Sequence, residues 1–217
     1  MIDYEEALKL VLSECEPCSA EDVDTASACG RVLAQDVEAR ISSPPFNKAA
    51  MDGYAVRAED VRELPAELEV VGEVFAGKPP GATVGPRQAA VITTGAPVPG
   101  EADTVVMVEH TEKLPGSRVR VLKLSGSNIC SEGEDVRAGD TVLREGQELT
   151  PLRIGIAAAA GYARLRVHRR PSGALLCTGT EVVEPGEEPA GGQIFNANGP
   201  MLGALMRPAC RSFEYLG

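Results

Sequence analysis

The 217 residues allow one large domain or two or three small ones, and at 43% hydrophobic the chain can bury a core. With 32 acidic against 21 basic residues its formal charge is −11. Such a surface repels nucleic acid and anionic lipid, whose binding rests on Lys and Arg neutralising phosphates, so both are excluded as partners. No run reaches the ~18 apolar residues of a membrane span, and the acidic start Ile2-Asp3-Tyr4-Glu5-Glu6 is no secretory signal, so the expected compartment is the cytoplasm.

The first element in the chain is an amphipathic helix: Asp3 is placed to cap it, Glu6 completes a capping box, and Leu8, Val11 and Leu12 share one face. Cys15-Glu-Pro-Cys18 has the spacing of a zinc or redox pair. No second pair follows, however, and the other thiols (Cys29, Cys130, Cys177 and Cys210) are scattered, which reads as free thiols in a reducing compartment. A short helical stretch is expected from about Thr25 to Ala34, then an extended run Asp36–Ile41 that Ser43-Pro44-Pro45 stops.

From Leu68 to Leu124 the texture is β. Strands are expected at Leu68–Phe75, Ala89–Thr93, Thr104–Val108 and Arg118–Leu122, with a break at Gly77–Gly81 and a hairpin about Pro115-Gly-Ser117. Short strands between Gly/Pro turns suggest a small barrel or sandwich. Asp140–Leu149 reads as a further hairpin turning at Glu145-Gly146. Thr150-Pro151 supplies an N-cap and an N1 proline for an apolar helix Leu152–Ala160, closed by Gly161. A strand Ala163–Val167 follows. After Pro171 the pattern is β-loop-α-β: Gly173–Cys177, a loop through Glu181, a helix capped by Asn198 to about Met206, and Arg211–Leu216. Pro208 should end that helix early.

Four clusters set carboxylates or hydroxyls beside glycine, where the backbone can turn tightly and approach a ligand. Asp52-Gly53 is either a functional carboxylate at a domain junction or an ordinary Asp-Gly turn. Thr94-Gly95 can offer a hydroxyl and backbone N–H groups to an oxyanion, or simply connect two strands. Glu132-Gly-Glu-Asp135, followed by Gly139-Asp140, can hold Mg²⁺ through water or stand as a solvated acidic turn. Thr178-Gly179-Thr-Glu181 follows a buried-type strand, the place where open α/β sheets bind ligands.

In order and spacing, Met51-Asp-Gly-Tyr-Ala-Val56, Thr94-Gly-Ala-Pro97 with Asp103-Thr-Val-Val106, Gly133-Glu-Asp135 with Gly139, and Thr178-Gly-Thr-Glu181 with Asn198 resemble the molybdopterin molybdenumtransferases, the MoeA type and the gephyrin E domain. The resemblance implies an α+β multi-domain chain. Residues 19–44 and 140–170 would form an elongated αβ domain, and 45–139 an inserted small β-barrel-like domain. The N-terminal helix, residues 1–18, would pack on an α/β molybdopterin-binding domain of which 171–217 is the incomplete start. Composition changes at Pro44–Pro45 and at Asp135–Gly139 mark the two crossings into the insert.

The implied activity, within molybdenum cofactor biosynthesis, is insertion of molybdate into adenylylated molybdopterin with Mg²⁺ and release of AMP. The site would lie between the third domain of one subunit of a homodimer and the second domain of the other. Asp52, Thr94, Asp135 and Glu181 would be catalytic; Gly53, Gly95, Gly179 and Asn198 would bind substrate. Asp52, Asp135 and Glu181 would hold the metal, Mg²⁺ or molybdate, or exchange protons with departing oxo ligands, and Thr94 would hydrogen-bond an oxyanion.

The chain departs from the family pattern at Asn47, Lys48, Thr180 and Asn196, where carboxylates or Asn are frequent. The family's Ser-Gly-Gly loop, its lysines and its C-terminal β domain are not in the sequence. The chain is therefore expected to be an N-terminal portion, inactive alone unless a second chain supplies the remaining domains. The alternative is a non-catalytic dimerisation or scaffold module derived from the same family.

Overall fold

The computed structural model describes residues 2–79, 81 and 83–217. Pro80, within the Gly77–Gly81 break, lies outside the described residues, as does Met1. The architecture is mixed α/β and divides into two units, Glu38–Asp140 and the pair of segments Met1–Val37 and Thr141–Gly217.

The first unit is built on an open six-stranded sheet in the order Thr104–Met107, Gly53–Val56, Gln88–Ile92, Ala66–Val74, Arg118–Val121, Thr111–Leu114. Neighbours are antiparallel except Ala66–Val74 with Gln88–Ile92, which run parallel. Both faces are covered. Tyr54, Val56, Leu68, Ala89, Val106, Val119 and Val121 pack on one side, and Ala55, Val74, Ala90, Ile92 and Val105 on the other. Strand side chains alternate, so Ala55 opposes its neighbours Tyr54 and Val56. Leu68 and Val74, six residues apart, should therefore share a face. A register shift between Val70 and Gly72 flips the parity and sends Val74 to the opposite core. Each fully buried Val or Leu contributes about 1.5–3 kcal/mol of apolar burial, so the bulge lets one strand stabilise two cores.

Two expectations change here. Gly53–Val56 is a central strand with every residue buried, and a short strand covered on both faces shows no alternation to read. The hairpin at Pro115–Ser117 joins Thr111–Leu114, not Thr104–Val108, to Arg118–Val121. A one-turn helix, Val108–His110, redirects the chain, so Thr104–Met107 pairs with Gly53–Val56 instead.

In the second unit Ala20–Asp24 pairs antiparallel with Arg164–His168, over a core including Ala28, Leu33, Leu149, Ala157, Leu165 and Val167. The helix expected over Thr25–Ala34 shrinks to one turn, Thr25–Ser27. Gly30, at φ 72°, turns the chain out, and Gly30 to Leu33 exchange backbone hydrogen bonds with residues 146–149. The turn expected at Gly146 is present, at φ 81°, but the strand after it pairs with Gly30–Leu33 rather than folding back as a hairpin. Helix Pro151–Ala159 forms as expected, with Thr150 Oγ1 accepting from the Arg153 N–H at 3.4 Å and proline in the first turn.

Ser172–Leu175 and Ser212–Tyr215 run parallel, with helix Asn198–Met206 between them in sequence. That helix stops before Pro208, whose ring cannot continue it. A second parallel pair, Val182–Val183 with Ile194–Phe195, had no sequence signal. The N-terminal helix spans Tyr4–Ser13 with Asp3 Oδ1 accepting from the Glu6 N–H at 2.8 Å, and none of its residues is buried. No helix among the described residues is long and apolar enough to cross a membrane.

Candidate functional site

Asp52 and Thr94 meet through the sheet register. Gly53 stands opposite Ile92, so the residue before one and the loop after the other emerge at the same end of the strand pair. The Thr93–Ala96 turn is closed by the Ala96 N–H on the Thr93 carbonyl at 3.0 Å. Gly95 sits at φ 80°, a left-handed conformation cheap only for glycine, and its N–H donates to the Ala49 carbonyl at 2.8 Å. This geometry aims two donors of Thr94 at a single oxygen. Its backbone N–H reaches Asp52 Oδ1 at 2.6 Å and its hydroxyl reaches the same atom at 2.8 Å.

The chemistry follows. The Thr94 backbone hydrogen bond, then its hydroxyl, hold the Asp52 carboxyl below the usual aspartate value, against a smaller opposing effect of desolvation. Asp52 is exposed and stays ionised, which makes it a poor general base near neutrality and a good ligand or hydrogen-bond acceptor. The single Thr94 hydroxyl hydrogen is spent on Asp52, so in this arrangement it is not free for an oxyanion. Gly53 is required sterically, because a Cβ there would lie 1.8 Å from the Val106 carbonyl oxygen. The Val108 N–H closes the corner on the Asp52 carbonyl at 3.1 Å.

Asp135 is held elsewhere in the same unit. Its N–H donates to the Ser43 carbonyl at 2.9 Å, and the Ser43 hydroxyl reaches its Oδ2 at 3.5 Å. Nearby acids cap turns: Glu134 Oε2 accepts from the Ser131 N–H and Asp140 Oδ2 from the Arg137 N–H, each at 2.9 Å. Among the described residues no three His, Cys, Asp or Glu side chains gather as a metal-binding group.

Glu181 belongs to the other unit. It is exposed, its carbonyl accepts the Ile194 N–H at 2.8 Å, and its carboxylate lies over Gly179, where a Cβ would come within 3.1 Å of Oε2. Asn198 does not cap its helix; it is the exposed first helical residue, and the helix N-cap position makes no side-chain bond. The Asn196 side chain takes that part, its Oδ1 accepting the Gly199 N–H at 2.8 Å.

Asn196 anchors a group that sequence reasoning missed. Its Nδ2 donates to Glu184 Oε1 at 2.8 Å and to the Tyr215 hydroxyl oxygen at 2.6 Å, and that hydroxyl donates to Glu184 Oε1 at 2.6 Å. Bonding to Glu184, followed by desolvation, pushes the Tyr215 phenol up to about 12, while Tyr215 and then Asn196 lower Glu184. Gly199 completes the group: a Cβ there would meet Tyr215 Oη at 2.7 Å. The one available signal was a polar Asn just ahead of a helix start.

Residues 2–161 match the family described as MoeA N-terminal region (domain I and II). The chain is 36% identical over 211 residues to a molybdopterin molybdenumtransferase of Staphylococcus epidermidis, covering 95% of this chain and 50% of that protein. It is 40% identical over 214 residues to molybdopterin molybdenumtransferase 2 of Mycobacterium tuberculosis, covering 96% and 53%. The chain thus spans about half the length of these curated relatives. The molybdopterin biosynthesis moeA protein of Pyrococcus horikoshii OT3 aligns with a TM-score of 0.87 at 35% identity, covering 100% of this chain and 59% of that one.

Proposed function

This chain belongs to the MoeA family, and we propose that it contributes part of an active site inserting molybdate into adenylylated molybdopterin, with release of AMP. The observation that supports this reading best is the Asp52–Thr94 pair. Residues 42 positions apart converge so that one carboxylate is exposed, oriented and kept ionised.

The substrates are anions, so an ionised carboxylate repels them unless a cation or a substrate hydroxyl stands between. Mg²⁺ ordinarily keeps several waters and takes one or two protein carboxylates together with substrate phosphates. Asp52 fits the part of one such carboxylate, and Asp135 and Glu181 are the other acids the family resemblance assigns to it. When bound, the ion would offset charge on the anionic substrates. Thr94 positions Asp52, with the hydroxyl as its second donor. Gly53 and Gly95 set the backbone path that makes the contact possible, and Gly179 does the same beside Glu181. Association as a homodimer, with other cofactor-biosynthesis proteins, or with a chain supplying further domains belongs to the same proposal. The exposed Leu10, Val11 and Leu12 of the N-terminal helix support a surface of association.

The test places Asp52→Asn and Glu181→Ala in a protein joining this chain to the remaining domains of a full-length relative. Molybdate insertion into adenylylated molybdopterin is expected to fall about a hundredfold in each, the scale of losing a positioned catalytic group. Full activity in both variants would reduce these carboxylates to structural parts.

A further inference from the structure

A chain of net charge −11 gathers four arginines around one cleft. Arg31, Arg169, Arg170 and Arg211 line a space of about 690 Å³ together with Glu21 and Cys210, all within the unit of residues 1–37 and 141–217. Backbone pairing brings them there. Glu21 stands opposite Val167, the Arg169 N–H donates to the Ser19 carbonyl at 2.9 Å, and the Arg211 N–H donates to the Pro171 carbonyl at 2.8 Å.

Glu21 is the one carboxylate in the lining, and it is already engaged. Arg31 Nη2 donates to its Oε1 at 2.5 Å and also to the His168 carbonyl at 2.8 Å, while Arg169 Nε faces Glu21 Oε2 at 3.6 Å. These contacts, with the field of Arg211, hold the Glu21 carboxyl below its usual value. Two guanidiniums remain. Among the described residues the side chains of Arg170 and Arg211 form no hydrogen bond or salt bridge, although Arg170 is half-buried. The Nε atoms of Arg31 and Arg170 are buried with no partner among the described residues. Buried donors on a cation are costly when left unmet, and four guanidiniums against one carboxylate repel one another. An anion would relieve that repulsion, and guanidinium is the side chain whose donors best match an oxyanion.

We propose that this cleft binds a phosphoryl-type dianion, gripped by Arg170 and Arg211 with Arg169 beside them, while the Arg31–Glu21 pair holds the frame. The space exceeds that of the free ion, so a phosphoryl group carried on a small polar molecule fits as well. The cleft shares no residue with the Asp52–Thr94 pair, and the proposal does not depend on the molybdenum reading.

The test is calorimetric titration of the 217-residue chain with inorganic phosphate and, in parallel, with ribose 5-phosphate, each at low and at raised NaCl. Saturable binding that weakens with salt is expected. Arg170→Met and Arg211→Gln should each weaken it about tenfold, the scale of one charge-assisted hydrogen bond, while Arg118→Gln in the other unit should leave it unchanged. Arg211 is exposed, so its variant keeps the test valid even if Arg170→Met fails to fold. Tighter binding of the sugar phosphate would identify a phosphoryl group on a larger molecule, and equal affinity would identify the free anion; both support the site. No saturable binding of either probe up to about 10 mM, or binding unchanged in both arginine variants, overturns the proposal.

Discussion

Replacing Gly53 with alanine adds one methyl group where the chain has no room for it. The new Cβ would lie 1.8 Å from the Val106 carbonyl oxygen, 2.8 Å from its carbon and 3.1 Å from Met107 Cα. Carbon–oxygen contacts settle at about 3.3–3.6 Å, so the strands Gly53–Val56 and Thr104–Met107 must part by roughly 1.5 Å at this point. The obstruction is backbone, which cannot rotate aside as a side chain tip would. Overpacking of this kind costs about 1–3 kcal/mol, and each ladder hydrogen bond broken in a covered sheet adds about 1–3 kcal/mol. Loss of one such bond brings the total to about 2–6 kcal/mol, a large share of the roughly 5–15 kcal/mol that stabilises a typical domain. At about 2–4 °C per kcal/mol for a chain of this size, the melting temperature of Gly53→Ala should drop by about 4–24 °C. Thermal unfolding followed by circular dichroism measures it. A melting temperature within about 2 °C of wild type would refute the steric account of Gly53.

The same substitution at Gly155 should act with the opposite sign. Gly155 lies in helix Pro151–Ala159 with nothing within 4 Å of an added Cβ, so Gly155→Ala should stabilise by about 0.5–1 kcal/mol, and a lower melting temperature would contradict that. Thr94→Val removes the hydroxyl donor but keeps the backbone donor, so the Asp52 carboxyl should move part of the way back toward its usual value, as read by carboxyl NMR titration. Because the folded value is depressed, Asp52 contributes stability present above the unfolded value and lost as pH falls through the folded one. Thr94→Val should shrink that acid-side loss, and an unchanged titration would place the cause outside the hydroxyl. Tyr215, raised to about 12, contributes stability that is complete below the ordinary phenol value and is lost as pH climbs toward 12. Glu184→Gln should lower the Tyr215 titration toward about 10, followed by NMR of its ring, and no change would show that Glu184 is not the main cause.

What could be read along the chain was whatever neighbouring residues decide among themselves. Asp3, Thr150 with Pro151, and Pro208 act within a turn or two, and all three set the helix ends that the structure shows, although among the described residues the Glu6 side chain does not complete the capping box. The four glycine-flanked motifs carried the family resemblance by order and spacing alone. Pairing across long separations could not be read in the same way. The turns at Gly116 and Gly146 were legible, but which strand each returned to depended on competing partners elsewhere in the fold. Gly53–Val56 escaped notice because burial on both faces erases the alternation that marks a strand. Asp52 and Thr94 were separate candidates until the register of Gly53 against Ile92 made them one group, with a single carboxylate oxygen taking both donors. The four arginines at positions 31, 169, 170 and 211 showed no pattern at all in the sequence. Hydrogen bonds and charge act over a few ångströms, and only the folded chain decides which residues come within that range.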